Sequence, residues 1–300
     1  MEFDVVTFGS AVKDVFVQTD QNLRMGRFTY KLGSKILIKE LKFDIGGGGT
    51  NTAVAFSRLG FKTGCISKLG DDFSSLEILE LLKKESVAFL GSKTRGASAL
   101  SIILNSHEKG RTILTHKGEC NNISPRDIRP FRSKWLYFSS MLERSLKTQF
   151  SLAKKMRKGG TRLAFNPSSY LIKSENIRGL LGLTEVLIIN REEARDIRER
   201  FLKGGGFEQI CLLGPRTVVI TNRDKEVFCF HEGKKYRTIP NRNSKVVERT
   251  GAGDAFASGF VAGRMLDWPI KRCLRLGILE SESVIKYFGA KNKLLRRKLK

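Results

Sequence analysis

A glycine turn near the C-terminus, followed directly by a carboxylate and an apolar helical pattern, constrains this sequence more than any other feature. The turn is Thr250-Gly251-Ala252-Gly253, and Asp254 follows it. Glycine lets the backbone adopt a positive φ and approach a ligand closely. The first amides of a helix lack intrahelical partners and favour an anion. The turn therefore predicts an anion site, where Asp254 can take a proton from a hydroxyl nucleophile. An ordinary turn, with an acid that favours the helix dipole, is the alternative reading of these residues alone.

A second glycine turn lies far upstream and also leads into a helical pattern. It contains Gly46, Gly47, Gly48 and Gly49, and Asn51 follows at the start of the helix. We expect the two turns to meet across one cleft, so that the carboxylate beside one turn reaches an alcohol held by the other.

Together the two turns resemble the signatures of the ribokinase-like carbohydrate kinase family, also called the phosphofructokinase-B (PfkB) family. The family motifs are Gly-Gly-x-x-x-Asn-x-Ala early in the chain and Thr-Gly-Ala-Gly-Asp late. Three shorter family motifs lie between them in the same order: Leu69-Gly70-Asp71-Asp72-Phe73, Phe165-Asn166-Pro167 and Asn190-Arg191-Glu192-Glu193. The resemblance covers nearly the whole chain. It implies one domain, residues 1–300, with an α/β three-layer sandwich around a mainly parallel sheet and a small β lid from residues 15–45 and 95–116.

The hydrophobic pattern independently predicts strands that alternate with helices, which is typical of a parallel sheet covered by helices. The predicted buried strands are 3–9, 63–69, 135–138, 162–166 and 185–190. The predicted helices are 53–59, 74–84, 194–201 and 255–262, and the resemblance to the family adds a closing helix at 283–295. Short strands with one wet face are expected at 15–17, 35–38, 41–45, 98–105 and 111–115. Ligands of such a sheet lie at the carboxyl ends of its strands, where Asn166 and Asn190 are placed.

The resemblance implies roles for residues near both turns. Asp254 is the catalytic base, and Gly251, Ala252 and Gly253 form the anion hole. The acceptor-binding positions are Asp14, Gly46, Gly47, Asn51 and Glu143. The nucleotide-binding positions are Asn190, Thr221, Arg223, Thr250, Gly251, Gly253 and Glu280. Asn190 and Glu193 lie near a magnesium ion, although a lone Asn-x-x-Glu more often marks a helix start, with Asn190 as cap and Glu193 as its capping-box partner.

Three departures from the family pattern affect the nucleotide side. Residues 221–226 lack both glycines of the family's Thr-x-Gly-x-x-Gly, so Arg223 or Lys225 is expected to supply charge in place of backbone contacts. Glu248-Arg249 replaces Asp-Thr, which weakens the expectation of the family's monovalent cation. Glu280 stands where an asparagine commonly borders the adenine pocket, so recognition of the base is expected to differ.

Net charge and cysteine content limit which other functions the chain can have. The chain has 55 Lys and Arg against 30 Asp and Glu, a net charge of +25, which makes nucleic-acid binding an alternative. The basic runs at 154–158 and 291–300 contain no interleaved aromatic residues, so we predict a solvated basic surface with non-specific polyanion affinity. Five scattered cysteines predict reduced thiols in a cytoplasmic protein. No apolar run approaches the ~20 residues of a membrane span, and the N-terminus lacks signal-peptide features.

The implied activity is that of a sugar kinase, which moves the γ-phosphoryl of Mg-ATP onto a hydroxymethyl group of a carbohydrate. A nucleoside kinase of the adenosine kinase type shares every motif above and remains an alternative. A catalytically degenerate ribokinase-fold protein that binds polyanions is the second alternative, in view of the glycines missing at 223 and 226. The family also implies a homodimer through the lid.

Overall fold

The computed structural model describes residues 1–19, 27–105, 111–241, 246–247 and 249–299. Within these ranges the strands are β1 (Glu2–Phe8), β2 (Val12–Thr19), β3 (Ile38–Gly46), β4 (Thr63–Ile66), β5 (Lys68–Leu69), β6 (Ala88–Phe89), β7 (Ser92–Lys93), β8 (Ala99–Asn105), β9 (Arg111–His116), β10 (Arg132–Ser139), β11 (Arg162–Asn166), β12 (Val186–Asn190), β13 (Thr217–Thr221), β14 (Val227–His231) and β15 (Lys234–Thr238). The α-helices are α1 (Gly48–Arg58), α2 (Phe73–Lys84), α3 (Glu143–Arg157), α4 (Ser169–Ser174), α5 (Arg178–Leu181), α6 (Arg191–Phe201), α7 (Ala252–Met265) and α8 (Ile270–Val284).

A nine-stranded sheet forms the centre of the molecule, in the order β15-β14-β13-β12-β11-β10-β1-β4-β6. The strands from β13 to β6 are parallel, and the β14–β15 hairpin adds two antiparallel strands at one edge. Along β10, Trp135 and Tyr137 pack with α1, α7 and α8, whereas Leu136 and Phe138 pack with α3, α4 and α6. This alternation buries both faces of the sheet. The predicted α/β three-layer sandwich is confirmed.

A second sheet has the order β3-β2-β8-β9 and lies beside the carboxyl edge of the central sheet. It is built from the segments that the sequence assigns to a lid. One of its faces carries Asp14 and Phe16, which are buried, and Phe16 packs edge-on against Phe288 with ring centroids 4.5 Å apart. The other face carries apolar side chains that remain partly or largely exposed. Movement of this sheet as a lid stays a prediction.

Two predicted elements differ from the observed ones. The strand expected at 35–38 begins only at Ile38, which pairs with Thr19, the last described residue of β2. The closing helix expected at 283–295 is wrong, because α8 ends at Val284 and turns follow it. Gly289 adopts a φ of 91° in these turns, and a Cβ there would lie 2.4 Å from Asp44 Oδ2. The backbone at Gly289 therefore leaves the helical conformation and packs closely against Asp44.

Among the described residues, no helix combines the length and the apolar character needed to cross a lipid bilayer.

Glu280 is fully buried where α8 packs against α7 and the C-terminal segment. Its Oε2 accepts a hydrogen bond of 3.2 Å from Leu295 N, and its Oε1 has no partner among the residues that the structure describes. On α7, a Cβ added at Gly259 would lie 3.0 Å from Glu280 Cγ. Burial is the main cause that raises the pKa of this carboxyl from 4.5 to about 7. The fold therefore favours the neutral form.

We expect Glu280→Gln to stabilise the protein at pH 8. The folded pKa lies above the unfolded one, so the wild-type protein loses stability as the pH rises from about 4.5 to about 7. The gain in the free energy of unfolding should be on the order of 2 kcal/mol at pH 8 and close to zero at pH 4. Urea unfolding at both pH values measures it. Glu199→Gln, at an exposed position of α6, is the matched control. An equal gain from Glu280→Gln at both pH values would contradict the assignment.

Candidate active site

Helix α7 begins at a glycine that no other residue replaces without strain. Gly251 adopts a left-handed φ of 77°, and a Cβ there would lie 2.5 Å from Ala290 Cβ. Gly253 is exposed, and a Cβ there would meet no described atom within 4 Å. Free space therefore borders the start of α7 beside Gly253, at the positive end of the helix dipole, although Ala252 N already donates a 3.3 Å hydrogen bond to Arg249 O. An anion can approach Gly253 without displacing a side chain.

The upstream glycine turn joins β3 to α1. Gly47 adopts a φ of 96°, and α1 starts at the next residue. Gly49 N donates a 3.0 Å hydrogen bond to Ser10 O, and a Cβ on Gly49 would lie 2.6 Å from the carbonyl of Gly9. The glycines thus let the first turn of α1 pack directly on the backbone that follows β1.

The two glycine turns meet through one hydrogen bond. Asn51 Nδ2, on α1, donates to Asp254 Oδ2, on α7, over 2.7 Å. Burial raises the pKa of Asp254, while the Asn51 hydrogen bond and the charge of Lys291 act in the opposite direction. The other oxygen, Oδ1, lies toward Gly48, 3.7 Å from the position of a Cβ on that residue. One carboxylate oxygen is therefore held, and the other remains for a ligand.

Asp14 lies behind the upstream turn, on β2, where a Cβ on Gly46 would collide with its Oδ2. Asp14 is buried, and burial is the largest effect that raises its pKa to about 6. Lys291 opposes this rise and Asp44 adds to it. Asp14 thus lies directly against Gly46 of the upstream turn, and its role in binding an acceptor stays a prediction.

A cleft of about 710 Å³ opens beside Asp254. Of the predicted site residues, Asp254, Glu143 and Glu193 line it, together with Gly48, Asn166 and the loop residues Ser139, Ser140, Met141 and Leu142. Glu143 has a φ of 53°, which is uncommon for a residue other than glycine, at the first position of α3. Asn166 ends β11 at the carboxyl edge of the sheet and donates from Nδ2 to Ile188 O over 2.7 Å.

Asn190 and Glu193 form a capping box at the start of α6. Asn190 Oδ1 accepts from Glu193 N over 2.9 Å, and Glu193 Oε2 accepts from Asn190 N over 2.7 Å. Burial raises the pKa of Glu193 to about 7. These contacts confirm the prediction that Asn190 and Glu193 cap α6. Glu193 also lines the cleft.

The side chains of the cleft suit a magnesium ion that is bound mainly by nucleotide phosphates and water. Among the described residues, no cluster of three or more His, Cys, Asp and Glu side chains could hold a metal ion. Mg²⁺ usually keeps several waters and binds through one or two carboxylates and substrate phosphates. The Glu193 carboxylate fits such a role, with the nucleotide phosphates and water completing the coordination.

The remaining predicted nucleotide positions are spread more widely. Thr221 pairs with Asn190 at the carboxyl ends of β13 and β12, and Arg223 follows in the β13–β14 turn with a φ of 52°. Thr250 Oγ1 accepts a 2.5 Å hydrogen bond from Arg111, which reaches over from β9. Glu280 does not line the cleft, because it is fully buried behind α7. Glu248 lies outside the described residues.

Two charged residues of the site were missed by the sequence analysis. Arg111 belongs to a strand that no motif marks, and it contacts the turn before α7. Lys291 belongs to the basic run 291–300, for which a solvated surface was predicted, yet it is buried with 5% of its surface exposed. The only signal in the sequence was its place directly after Gly289-Ala290.

Comparison with known proteins identifies the family and the fold. The family model described as pfkB family carbohydrate kinase matches residues 3–296. A cytidine kinase of Thermococcus kodakarensis is 26% identical over 266 residues, which covers 81% of this chain and 88% of that protein. A ribokinase of Haemophilus influenzae is 24% identical over 292 residues, 94% of each chain. The crystal structure of the Methanocaldococcus jannaschii nucleoside kinase, a ribokinase family member, aligns with a TM-score of 0.83 at 17% identity, covering 97% of this chain and 95% of that one. The fold is ribokinase-like, and the chain belongs to the pfkB family of carbohydrate kinases, phosphotransferases that use an alcohol group as acceptor.

Proposed function

We propose that the protein transfers the γ-phosphoryl group of Mg-ATP to a hydroxymethyl group of a sugar. The observation that carries the proposal is the 2.7 Å hydrogen bond between Asn51 and Asp254. It places Asp254, the proposed catalytic base beside the downstream glycine turn, next to the upstream glycine turn. The acceptor is held by Asp14, Gly46, Gly47 and Asn51. A carboxylate such as Asp14 accepts hydrogen bonds from sugar hydroxyls.

Asp254 Oδ1 takes the proton of the acceptor hydroxyl while the hydroxyl oxygen attacks the γ-phosphorus and the bond to the leaving ADP oxygen breaks. Amides at the start of α7 stabilise the negative charge on the transferring group. Glu193 orients the magnesium complex of the nucleotide, and a magnesium ion neutralises charge on the phosphates when bound. Positioning and charge stabilisation suffice for this chemistry, so no histidine is needed. The five free cysteines fit a reducing cytoplasmic compartment.

A nucleoside is the second candidate acceptor, because part of the cleft wall is apolar. Met141, Leu142 and Tyr170 line it, and a nucleobase stacks on such side chains more readily than a free sugar does. The cytidine kinase relative supports this candidate, and the ribokinase relative supports a free sugar.

A panel of ribose, fructose, adenosine and aminoimidazole riboside, each with ATP, separates the candidates by the rate of ADP release. We expect one sugar to give the highest kcat/KM. A nucleoside that exceeds every sugar would favour the second candidate. No release with any acceptor, together with salt-sensitive RNA binding, would favour the polyanion-binding alternative.

We expect Asp254→Asn to fold normally and to lower kcat by about 10²–10⁴, because the amide cannot accept the hydroxyl proton. The amide still pairs with Asn51 and keeps the volume of the side chain. Asp267→Asn, an exposed aspartate just after α7, is the matched control and should keep kcat within about twofold. An Asp254→Asn variant with wild-type kcat would refute the assignment of the base.

Glu193→Gln should raise the Mg²⁺ concentration for half-maximal rate by about tenfold, because a neutral amide attracts the cation less than a carboxylate. Glutamine preserves the capping box, so α6 should start normally. Titration of the rate with Mg²⁺ at fixed ATP measures the effect. Glu192→Gln, exposed in the same turn, provides the control. The same Mg²⁺ requirement in all three proteins would remove Glu193 from the metal site.

A homodimer through the second sheet is also part of the proposal. Phe43, Val15, Ile102 and Leu114 lie side by side across β3, β2, β8 and β9, on the face opposite Asp14. Phe43 is 57% exposed and Leu114 is 53% exposed. An apolar row of this kind on a sheet face favours a partner surface. A second copy of the same face would cover it symmetrically.

Phe43→Lys should therefore yield a monomer in sedimentation velocity at micromolar concentration, because two buried ammonium groups would oppose the contact. Phe73→Lys, at a phenylalanine on α2 that is 75% exposed, should leave the dimer intact. A monomeric wild-type protein, or a dimer in both variants, would contradict this interface.

A further inference from the structure

Lys291 is buried behind the active site, although it follows the last helix in a basic part of the chain. Its Nζ donates to Asn51 Oδ1 over 2.6 Å and also to the carbonyl of Ile45, at the end of β3. Its own carbonyl accepts a 2.6 Å hydrogen bond from Arg58 on α1. The lysine thus joins the C-terminal segment to the glycine turn and to α1.

Three carboxylates act electrostatically on this ammonium group. Asp44 on β3, Asp14 on β2 and Asp254 on α7 all favour its charged form, while burial and Arg58 on α1 oppose it. The net effect lowers the pKa of Lys291. Attraction to several carboxylates offsets the free energy that a buried ammonium loses when it leaves water. The same attraction stabilises the charged form of those carboxylates.

Two further groups complete the charge environment. Arg111 on β9 lowers the pKa of Asp14, and the hydroxyl of Tyr137 on β10 is buried near Asp254, whose charge raises the tyrosine pKa. Neither Arg111 nor Tyr137 is among the groups that lower the pKa of Asp254. Lys291 is the one cation that lowers the pKa of Asp254 among the residues that the structure describes.

The chain Lys291–Asn51–Asp254 has only one chemically consistent orientation. A lysine ammonium donates and does not accept, whereas an ionised carboxylate accepts and does not donate. The Asn51 amide therefore turns its oxygen to Lys291 and its nitrogen to Asp254. Each hydrogen bond is charge-assisted, and the amide carries the influence of the cation to Asp254 Oδ2. Oδ1 is left free beside Gly48.

We propose that Lys291 is a positioning residue for the base: acting through Asn51, it keeps Asp254 ionised and keeps Oδ1 turned toward the acceptor. The inference rests on the proposed role of Asp254. A base must be unprotonated before the reaction, and a buried carboxyl without a nearby cation tends to remain neutral. Lys291 counters that tendency without touching the substrate.

The direct test is the titration of Asp254 by NMR in protein labelled with ¹³C at the aspartate carboxyls, with Asp254→Asn to assign the signal. Lys291→Gln keeps an amide donor for Asn51 and removes the charge, whereas Lys291→Arg keeps the charge. We expect the pKa of Asp254 to rise by about one unit in Lys291→Gln and to stay near the wild-type value in Lys291→Arg. An unchanged titration in Lys291→Gln would overturn the proposal.

Kinetics provide a second readout. The acidic limb of the kcat/KM profile should move to higher pH in Lys291→Gln, so that the rate one pH unit below the wild-type limb falls about tenfold. A lysine that only supports the fold would change Tm and leave the limb in place. The NMR titration needs no turnover, so a protein that phosphorylates no acceptor would refute the proposed function, while the titration would still decide the role of Lys291.

A wild-type measurement covers the case in which Lys291→Gln does not fold. The ¹⁵Nζ signal of Lys291, assigned with Lys291→Arg, should show a protonated amine at pH 7. A neutral amine at pH 7 would overturn the proposal.

Discussion

The hydrogen bond from Asn51 to Asp254 is the contact on which the site depends. It links the first turn of α1 to the first turn of α7, residues that are more than 200 positions apart in the chain. Both helices begin next to a glycine with positive φ, so the positive ends of both helix dipoles lie near this contact. A carboxylate placed at this contact has one oxygen bound and one available, which is the arrangement that proton transfer from a bound alcohol requires.

Close backbone packing makes this meeting possible. Gly49 lies against the backbone of Gly9, and Gly251 lies against Ala290, so a side chain at either glycine would push a helix start away from its neighbour. The central sheet supplies the rigid frame, because its alternating side chains fix α1 and α7 on one face. The C-terminal segment then closes the site from behind, where Lys291 reaches Asn51. The candidate site is therefore assembled from segments that are far apart in the chain.

The sequence predicted those parts of the structure that have a local signal. Apolar runs that end in Asn166 and Asn190 mark strand ends at the carboxyl edge of the sheet, and the glycine turns mark the starts of α1 and α7. Helix α3 was not predicted because its buried positions are largely polar, among them Gln149, which donates to Phe8 O and Ser139 O. Lys291 was not identified because its burial results from tertiary contacts that charge patterning does not reveal.

A crystal structure with the acceptor and a non-hydrolysable ATP analogue tests the central claim most directly. We predict the reacting hydroxyl within hydrogen-bond distance of Asp254 Oδ1, with Oδ2 still bound to Asn51 and the γ-phosphate analogue at the amides that begin α7. An acceptor bound away from the glycine turns, or an Asp254 side chain turned from the cleft in the complex, would contradict the account.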